Sequence, residues 1–338
     1  MSHFYTLAVE SSCDETSAAI LDHQRVIALV TATQAVHEQY GGVVPELASR
    51  AHQSNIVPVV QAAFDKAQLS LNDMNLLAVT EGPGLMGALH VGVAFMKSMA
   101  LASGKPLVGV NHMKGHVLAH CIEEQYETPI AFPFACLTVS GGHTQIVIVN
   151  SPTDLKVVAT TLDDAAGEAL DKGAKLMGLP YPGGPVVDKL AKDGNQKAYA
   201  FATPKKKDND FSFSGLKTSL LYFLQAHTKQ DPDFIQKNIH DLCASYQYAV
   251  VNYLMEQFFR IVKEYNVNHI ALAGGVSANS LLRKEYELRG AQKGYQTFIP
   301  KFDYCTDNAA MIGISGYFEF LKNPTVQRNI VPQPRMTF

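Results

Sequence analysis

Short apolar runs, each broken by a polar or glycine-bearing turn, set the rhythm of this chain. Residues 4–9 are β-rich and residues 17–21 resume that character, so two strands are predicted within residues 4–30. The polar turn Glu-Ser-Ser-Cys-Asp-Glu-Thr at 10–16 lies between them. Residues 45–50 open a helical stretch, with Pro45 suited to the first turn and Pro58 expected to kink or restart it. Residues 76–80 read as a buried strand that enters a glycine loop at 81–87 and then a helix over 88–102. A strand over 105–110 follows and delivers Asn-His-Met-Lys-Gly-His at 111–116. Residues 135–149 repeat the opening device, a strand into a Ser-Gly-Gly turn and a strand out of it. Two such hairpins about 130 residues apart predict an internal duplication.

The second half continues in the same style. Residues 162–172 predict a helix with its acids on one side, and Tyr-Pro-Gly-Gly-Pro at 181–185 breaks and restarts the chain. A polar, irregular stretch covers 193–215. Ile235, Ile239, Leu242, Tyr246, Ala249, Tyr253 and Leu254 stand at helical spacing, so 233–266 is assigned to the core with no function of its own. Residues 269–283 predict a strand, a Gly-Gly turn and a helix. A last helix runs to about residue 321, and the tail at 331–335 is expected to be loosely held.

A chain of 338 residues suggests two lobes, and 47% apolar with 17% charged residues fits a large core. The net charge of −3 excludes a strongly basic domain. A nucleic-acid partner must then be met by a local patch, such as Lys205-Lys206-Lys207, or through other proteins. No signal peptide is visible, and no apolar run is expected to reach the roughly 18 residues of a membrane span. The 5 cysteines form no Cys-x-x-Cys and are expected as free thiols of a cytoplasmic protein.

The candidate chemistry centres on His112 and His116, which share a face if their segment is helical. Such a pair can bind one divalent metal, given a third, oxygen-bearing ligand. It can equally be an ordinary polar helix face, and His120 continues the pattern. Ligands gather at the carboxyl ends of strands in α/β sheets, which is where this segment falls. Asp307, just before the last helix, is the best-placed third ligand. A zinc-peptidase reading fails because Met113 stands where the general-base glutamate belongs. Asp171 and Asp188 can each hold a hydroxyl pair on a ribose or other polyol, or simply face solvent. Gly274-Gly275 would let a flat ring such as adenine lie against backbone, and Asn279 would bond that ligand or cap its helix.

The motifs agree as a series: Glu-Ser-Ser-Cys-Asp-Glu-Thr, Gly-Gly-Val-Val-Pro-Glu-Leu-Ala-Ser-Arg, Gly-Pro-Gly-Leu, Asn-His-Met-Lys-Gly-His and Val-Ser-Gly-Gly-His-Thr. They continue with Asp-Asp-Ala-Ala-Gly-Glu-Ala, Tyr-Pro-Gly-Gly-Pro, Phe-Ser-Phe-Ser-Gly-Leu-Lys, Ala-Gly-Gly-Val-Ser-Ala-Asn and Cys-Thr-Asp-Asn. From about residue 7 to 321 the chain resembles the bacterial TsaD family, the tRNA adenosine threonylcarbamoyltransferases. The resemblance implies an actin/sugar-kinase/Hsp70-like α/β fold, with two duplicated lobes around a nucleotide cleft. The expected lobes are 1–112 with 307–338, and 113–306. It implies iron or zinc held by His112, His116 and Asp307. It implies contacts to an ATP- or AMP-type ligand at Thr138, Val139, Ser140, Gly141, Gly142, Asp171, Gly184, Asp188 and Asn279. Thr138, Leu170 and Gly173 depart from the pattern, standing where a more apolar residue, a Phe and a Thr are expected.

The implied reaction moves threonylcarbamoyl from threonylcarbamoyl-AMP to the exocyclic amine of the adenosine 3′ of the anticodon. The tRNAs concerned read codons that begin with A. No general base is assigned. The implied partners are tRNA, a smaller paralogue of the same fold (TsaB-like) and a P-loop ATPase (TsaE-like). The alternatives are a small-molecule kinase or carbamoyltransferase of the same fold, or a non-enzymatic assembly subunit.

Overall fold

The computed structural model describes residues 3–34, 37, 40, 42–202, 209–324 and 329–338; the run Lys205–Lys207 lies outside them. The strands are β1 (Tyr5–Glu10), β2 (Glu15–Asp22), β3 (Arg25–Thr33), β4 (Leu76–Gly82), β5 (Leu107–Asn111), β6 (Phe134–Val139), β7 (Thr144–Ser151), β8 (Asp154–Thr160), β9 (His269–Ala273) and β10 (Gln296–Phe298). The helices are α1 (Pro45–Ala67), α2 (Met86–Ser103), α3 (His112–Leu118), α4 (Ala166–Leu176), α5 (Gly183–Ala191), α6 (Ser214–Thr228), α7 (Phe234–Lys237), α8 (Ile239–Val262), α9 (Ser280–Gln292) and α10 (Ala309–Lys322). The chain divides into two compact units. One comprises Met1–Ala131, Asn150–Leu155 and Pro300–Phe338; the other comprises Phe132–Val149 and Lys156–Ile299. The sequence reading instead divides the chain after His112, whereas α3 and its continuation to residue 131 belong to the first unit.

In the first unit the sheet runs β3-β2-β1-β4-β5. β1, β2 and β3 form an antiparallel meander, and β4 and β5 add in parallel. The sequence predicts only two strands here. The chain instead reverses again at His23, which takes a positive φ of 53°, and pairs β3 on β2. Strand alternation splits the core in two. Leu7, Val9, Ala18 and Ile20 face α1 and α2, while Ala8, Ala19 and Leu21 face α10.

Three local expectations are corrected. α1 continues through Pro58 without restarting. Pro58 and Ser54, whose carbonyl its ring deprives of a donor, are both exposed, so water can serve that oxygen. α2 has 18 residues and is long and apolar enough by composition to cross a membrane. It packs Val93 and Met96 into the core beside β4 and α1, and its Lys97 donates to the Ile330 carbonyl at 3.1 Å. The tail is not loose: Gln333 N donates to the Glu81 carbonyl at 2.7 Å, and Asn111 Nδ2 to that of Thr337 at 3.0 Å. Ile330 is buried.

The second unit repeats the arrangement. Its sheet runs β10-β9-β6-β7-β8, with β6 and β7 antiparallel and β9 and β10 added in parallel. The expected duplication is therefore present in strand order. α4 begins only at Ala166, so Asp163 and Asp164 lie outside it. Asp163 accepts from Ser212 Oγ and Phe213 N, and Asp164 pairs with Lys172 and Lys217. The stretch from 233 breaks at Asn238 into α7 and α8.

Gly173 explains one departure from the family pattern. A Cβ there would meet the buried Tyr246 ring, with Cζ at 2.8 Å. Tyr246 is fixed by its hydroxyl, which donates to the Ala169 carbonyl at 2.9 Å. Gly173→Ala is expected to destabilise the protein by about 1–3 kcal/mol, despite the better helix former, because the ring must shift. Chemical denaturation against the parent measures this; an unchanged midpoint would refute it.

Candidate functional site

β5 ends at Asn111, whose side chain accepts from Met113 N at 2.9 Å and Lys114 N at 3.1 Å. This cap starts α3 at His112 and sets His112 and His116 one turn apart. Their rings lie edge-on, with centroids 4.8 Å apart. Asp307 arrives from the other end of the unit, immediately before Asn308, which caps α10 by accepting from Met311 N at 3.1 Å. Its Oδ1 lies 3.4 Å from His112 Nε2 and 3.1 Å from His116 Nε2. The ligand atoms of all three residues fall within 4.8 Å of one another. Two imidazoles and a carboxylate at this spacing suit a single zinc or iron ion. His120 takes no part: its Nδ1 pairs with the Tyr126 hydroxyl at 2.5 Å.

A fourth residue, Glu10, completes the arrangement. It is fully buried at the end of β1. Its carboxylate accepts from Ser12 N and from Thr80 Oγ1, each at 2.5 Å, and lies 3.1 Å from His112 Nδ1. Ser12 Oγ also approaches that nitrogen, at 3.2 Å. With Nδ1–H given to Glu10, the Nε2 lone pair is left for a metal, the usual device that orients a ligating imidazole. His116 Nδ1, also buried, has no such partner.

Charge in this cluster is mutually determined. Burial alone would depress the His112 pKa, but Asp307 and Glu10 outweigh it and hold the imidazole well above its ordinary value. Burial likewise works against the Glu10 and Asp307 carboxylates, yet His112 holds both below the usual range. Nearby Glu15 goes the other way. Burial, then the charges of Asp307 and Asp14, push it up to about 9, so it stays neutral at pH 7 in the metal-free protein.

The second unit holds a cavity of about 520 Å³. Gly141, Asp171, Gly184, Asp188 and Asn279 all line it, together with Gly275 from the Gly-Gly turn. Asp171 Oδ1 accepts from Gly184 N at 2.9 Å. Burial raises the Asp171 pKa, partly offset by the backbone N–H groups of Gly184 and Gly183. Asp188 Oδ1 accepts from Ser280 Oγ at 2.8 Å, and Asn279 Oδ1 from Leu282 N at 3.0 Å, capping α9. Such a wall offers carboxylate oxygens to hydroxyl donors and amide N–H groups to a ring-nitrogen acceptor, the needs of a ribonucleoside. Thr138 and Val139 are fully buried in β6, backbone included, and do not line the cavity. Ser140 closes the turn by accepting from His143 N at 3.0 Å. Gly142 is exposed beside it. Lys189 and Lys192, which the sequence reading passes over, also reach the cavity.

The family model described as TsaD, tRNA N6-adenosine threonylcarbamoyltransferase, matches residues 25–314. A protein of that name from Christiangramia forsetii is 51% identical over 333 residues, covering 98% of each chain. One from Cytophaga hutchinsonii is 52% identical over 330 residues, covering 98% of this chain and 95% of its own. This chain belongs to the TsaD family. Its fold is shared more widely. Full-length HypF in its phosphate- and nucleotide-bound form superposes with a TM-score of 0.63 at 12% identity, covering 95% of this chain and 47% of that one. Component A of (R)-2-hydroxyglutaryl-CoA dehydratase from Acidaminococcus fermentans gives 0.54 at 12%, covering 94% and 98%. At such identities the likeness speaks for fold alone, and it places this TsaD-family chain in the actin/sugar-kinase/Hsp70-like class.

Proposed function

We propose that this protein transfers the threonylcarbamoyl group of threonylcarbamoyl-AMP to the exocyclic amine of the adenosine 3′ of the anticodon, releasing AMP. The tRNAs are those that read codons beginning with A. The meeting of His112, His116 and Asp307 in a chain 51% identical to named threonylcarbamoyltransferases carries this reading. The donor is already activated, since AMP is a good leaving group. The protein's task is to orient the amine and to stabilise charge as the acyl group moves.

Each half of the chain has a part in this reading. His112 and His116, through Nε2, and Asp307, through Oδ1, hold the metal, and Glu10 keeps His112 turned toward it. A bound iron or zinc ion would supply Lewis acidity. Asp171 and Asp188 accept from the ribose hydroxyls, and Asn279 donates to the base. The accessible backbone of the turn at 140–142 is left to meet the phosphate. The net charge of −3 favours tRNA docking on a surface shared with a smaller paralogue of the fold and a P-loop ATPase, in the cytoplasm.

Reconstitution tests this. The protein, both partners, tRNA and threonylcarbamoyl-AMP should yield threonylcarbamoyladenosine by mass spectrometry of digested tRNA. A preparation that carries its metal and both partners yet forms no modified nucleoside would refute the reading.

A further inference from the structure

Gln247 is a polar side chain in the middle of α8, on an otherwise core-facing stretch beside Tyr246, Val250 and Val251. It is 1% exposed. Its Nε2 donates to Asp188 Oδ1 at 2.7 Å and to Asn279 Oδ1 at 3.1 Å. One buried amide thus ties α5 to the start of α9, and both bonds end on residues that line the cavity of the second unit. Its Oε1 is buried with no partner. A methionine would fill the same space without a buried unpaired oxygen, but it would give up both Nε2 bonds to the cavity residues.

The bonds have a directional consequence. Asn279 Oδ1 receives both Leu282 N and Gln247 Nε2, which occupies its acceptor capacity. Only the Nδ2 donors of Asn279 remain for a ligand. Asp188 Oδ1 receives Gln247 Nε2, Ser280 Oγ and Ser280 N, while Oδ2 receives only Ser280 N, at 3.3 Å. Oδ2 therefore keeps a free lone pair for a hydroxyl donor.

We propose that Gln247 is a positioning residue of the nucleoside pocket. It locks Asn279 as a donor and Asp188 as an acceptor, so that the pocket selects a ribonucleotide over its deoxy analogue. The inference rests on the nucleoside reading of that cavity and adds the residue that sets its polarity.

The test measures binding of AMP, 2′-deoxy-AMP and 3′-deoxy-AMP by calorimetry to the full-length parent, Gln247→Met and Gln247→Glu, each checked for folding by thermal melt. Gln247→Met is expected to stay folded with a modest drop in melting temperature, to lose on the order of 10-fold in AMP affinity, and to discriminate less against one of the deoxy analogues. Gln247→Glu presses a carboxylate on Asp188 and is expected to lose more. If either variant folds and keeps the parent's AMP affinity and discrimination, the positioning role is wrong while the nucleoside reading stands. If the parent binds AMP no better than the two deoxy analogues, the proposed selection is wrong while the nucleoside reading stands; if it binds none of the three, the nucleoside reading falls and takes this inference with it.

Discussion

Asp307→Ala is expected to strip the protein of metal and activity together while leaving it folded. Asp307 Oδ1 is the atom that faces both His112 Nε2 and His116 Nε2, at 3.4 and 3.1 Å. Without it two imidazoles remain, one ligand short of the minimum that holds a zinc or iron ion firmly. Loss of an outer hydrogen-bond partner of a ligand weakens metal binding about 10–100-fold, and loss of a ligand should exceed that. Modified-nucleoside formation should fall by more than about 100-fold with it. Glu10→Gln should land inside the smaller range, since it removes only the carboxylate behind His112. Metal content after dialysis, read by plasma mass spectrometry, and tRNA modification check both. An Asp307→Ala protein that keeps full metal and full activity would end the metal assignment.

The same cluster gives the metal-free protein a definite pH profile. The folded pKa of His112 is raised above the ordinary 6.5. Its contribution to stability is therefore complete below 6.5 and is lost as pH rises through the folded value. Glu10 and Asp307 are depressed below their ordinary 4.5 and 3.8. Their contributions are complete above those values and are lost as pH falls through the folded ones. The chelated protein should draw most from this cluster between roughly pH 4.5 and 6.5. Metal must displace the His112 proton, so metal affinity should tighten as pH rises above 6.5 and level off past the folded pKa. Melting curves against pH, with and without chelator, and a metal titration at two pH values read both effects.

The three residues that cluster as candidate metal ligands were legible in the sequence because each announces itself locally. Asn111 caps a helix that opens with His112, and a one-turn spacing leaves His116 no other face. Asp307 precedes a capping Asn308, so its place at a helix entrance was readable too. That the two helices meet was not readable from residues 112–116 and 307–308; it came from the resemblance. Glu10 and Gln247 escaped as well. Glu10 was read into the polar turn at 10–16, whereas it ends β1 and is buried; Gln247 lies in a helix that periodicity assigns to the core without saying what a buried amide bonds to. The tail failed differently. Its prolines read as loose chain, yet backbone bonds to Glu81 and Gly84 are invisible to any side-chain pattern.

Gly274→Ala is the substitution expected to cost the second unit most. Gly274 has φ 85° and ψ 163°, a conformation that L side chains rarely adopt. A Cβ there would also run into the backbone of Val139, with its carbonyl carbon at 2.8 Å. That backbone belongs to β6, which pairs with β9 up to Thr138 and Ala273, so neither side can retreat without breaking the ladder. Backbone strain of about 1–3 kcal/mol and overpacking of similar size act together. The melting temperature should fall by roughly 2–4 °C for each kcal/mol. The shift also moves the Ser-Gly-Gly turn that follows Val139, so AMP affinity should drop in whatever protein remains folded. Gly215→Ala supplies the contrast. Gly215 lies in α6 with nothing within 4 Å of an added Cβ, so it should gain up to about 1 kcal/mol from helix propensity. Should the two alanine variants melt alike, close contact between the Gly-Gly turn and β6 would not be what holds this wall of the pocket in place.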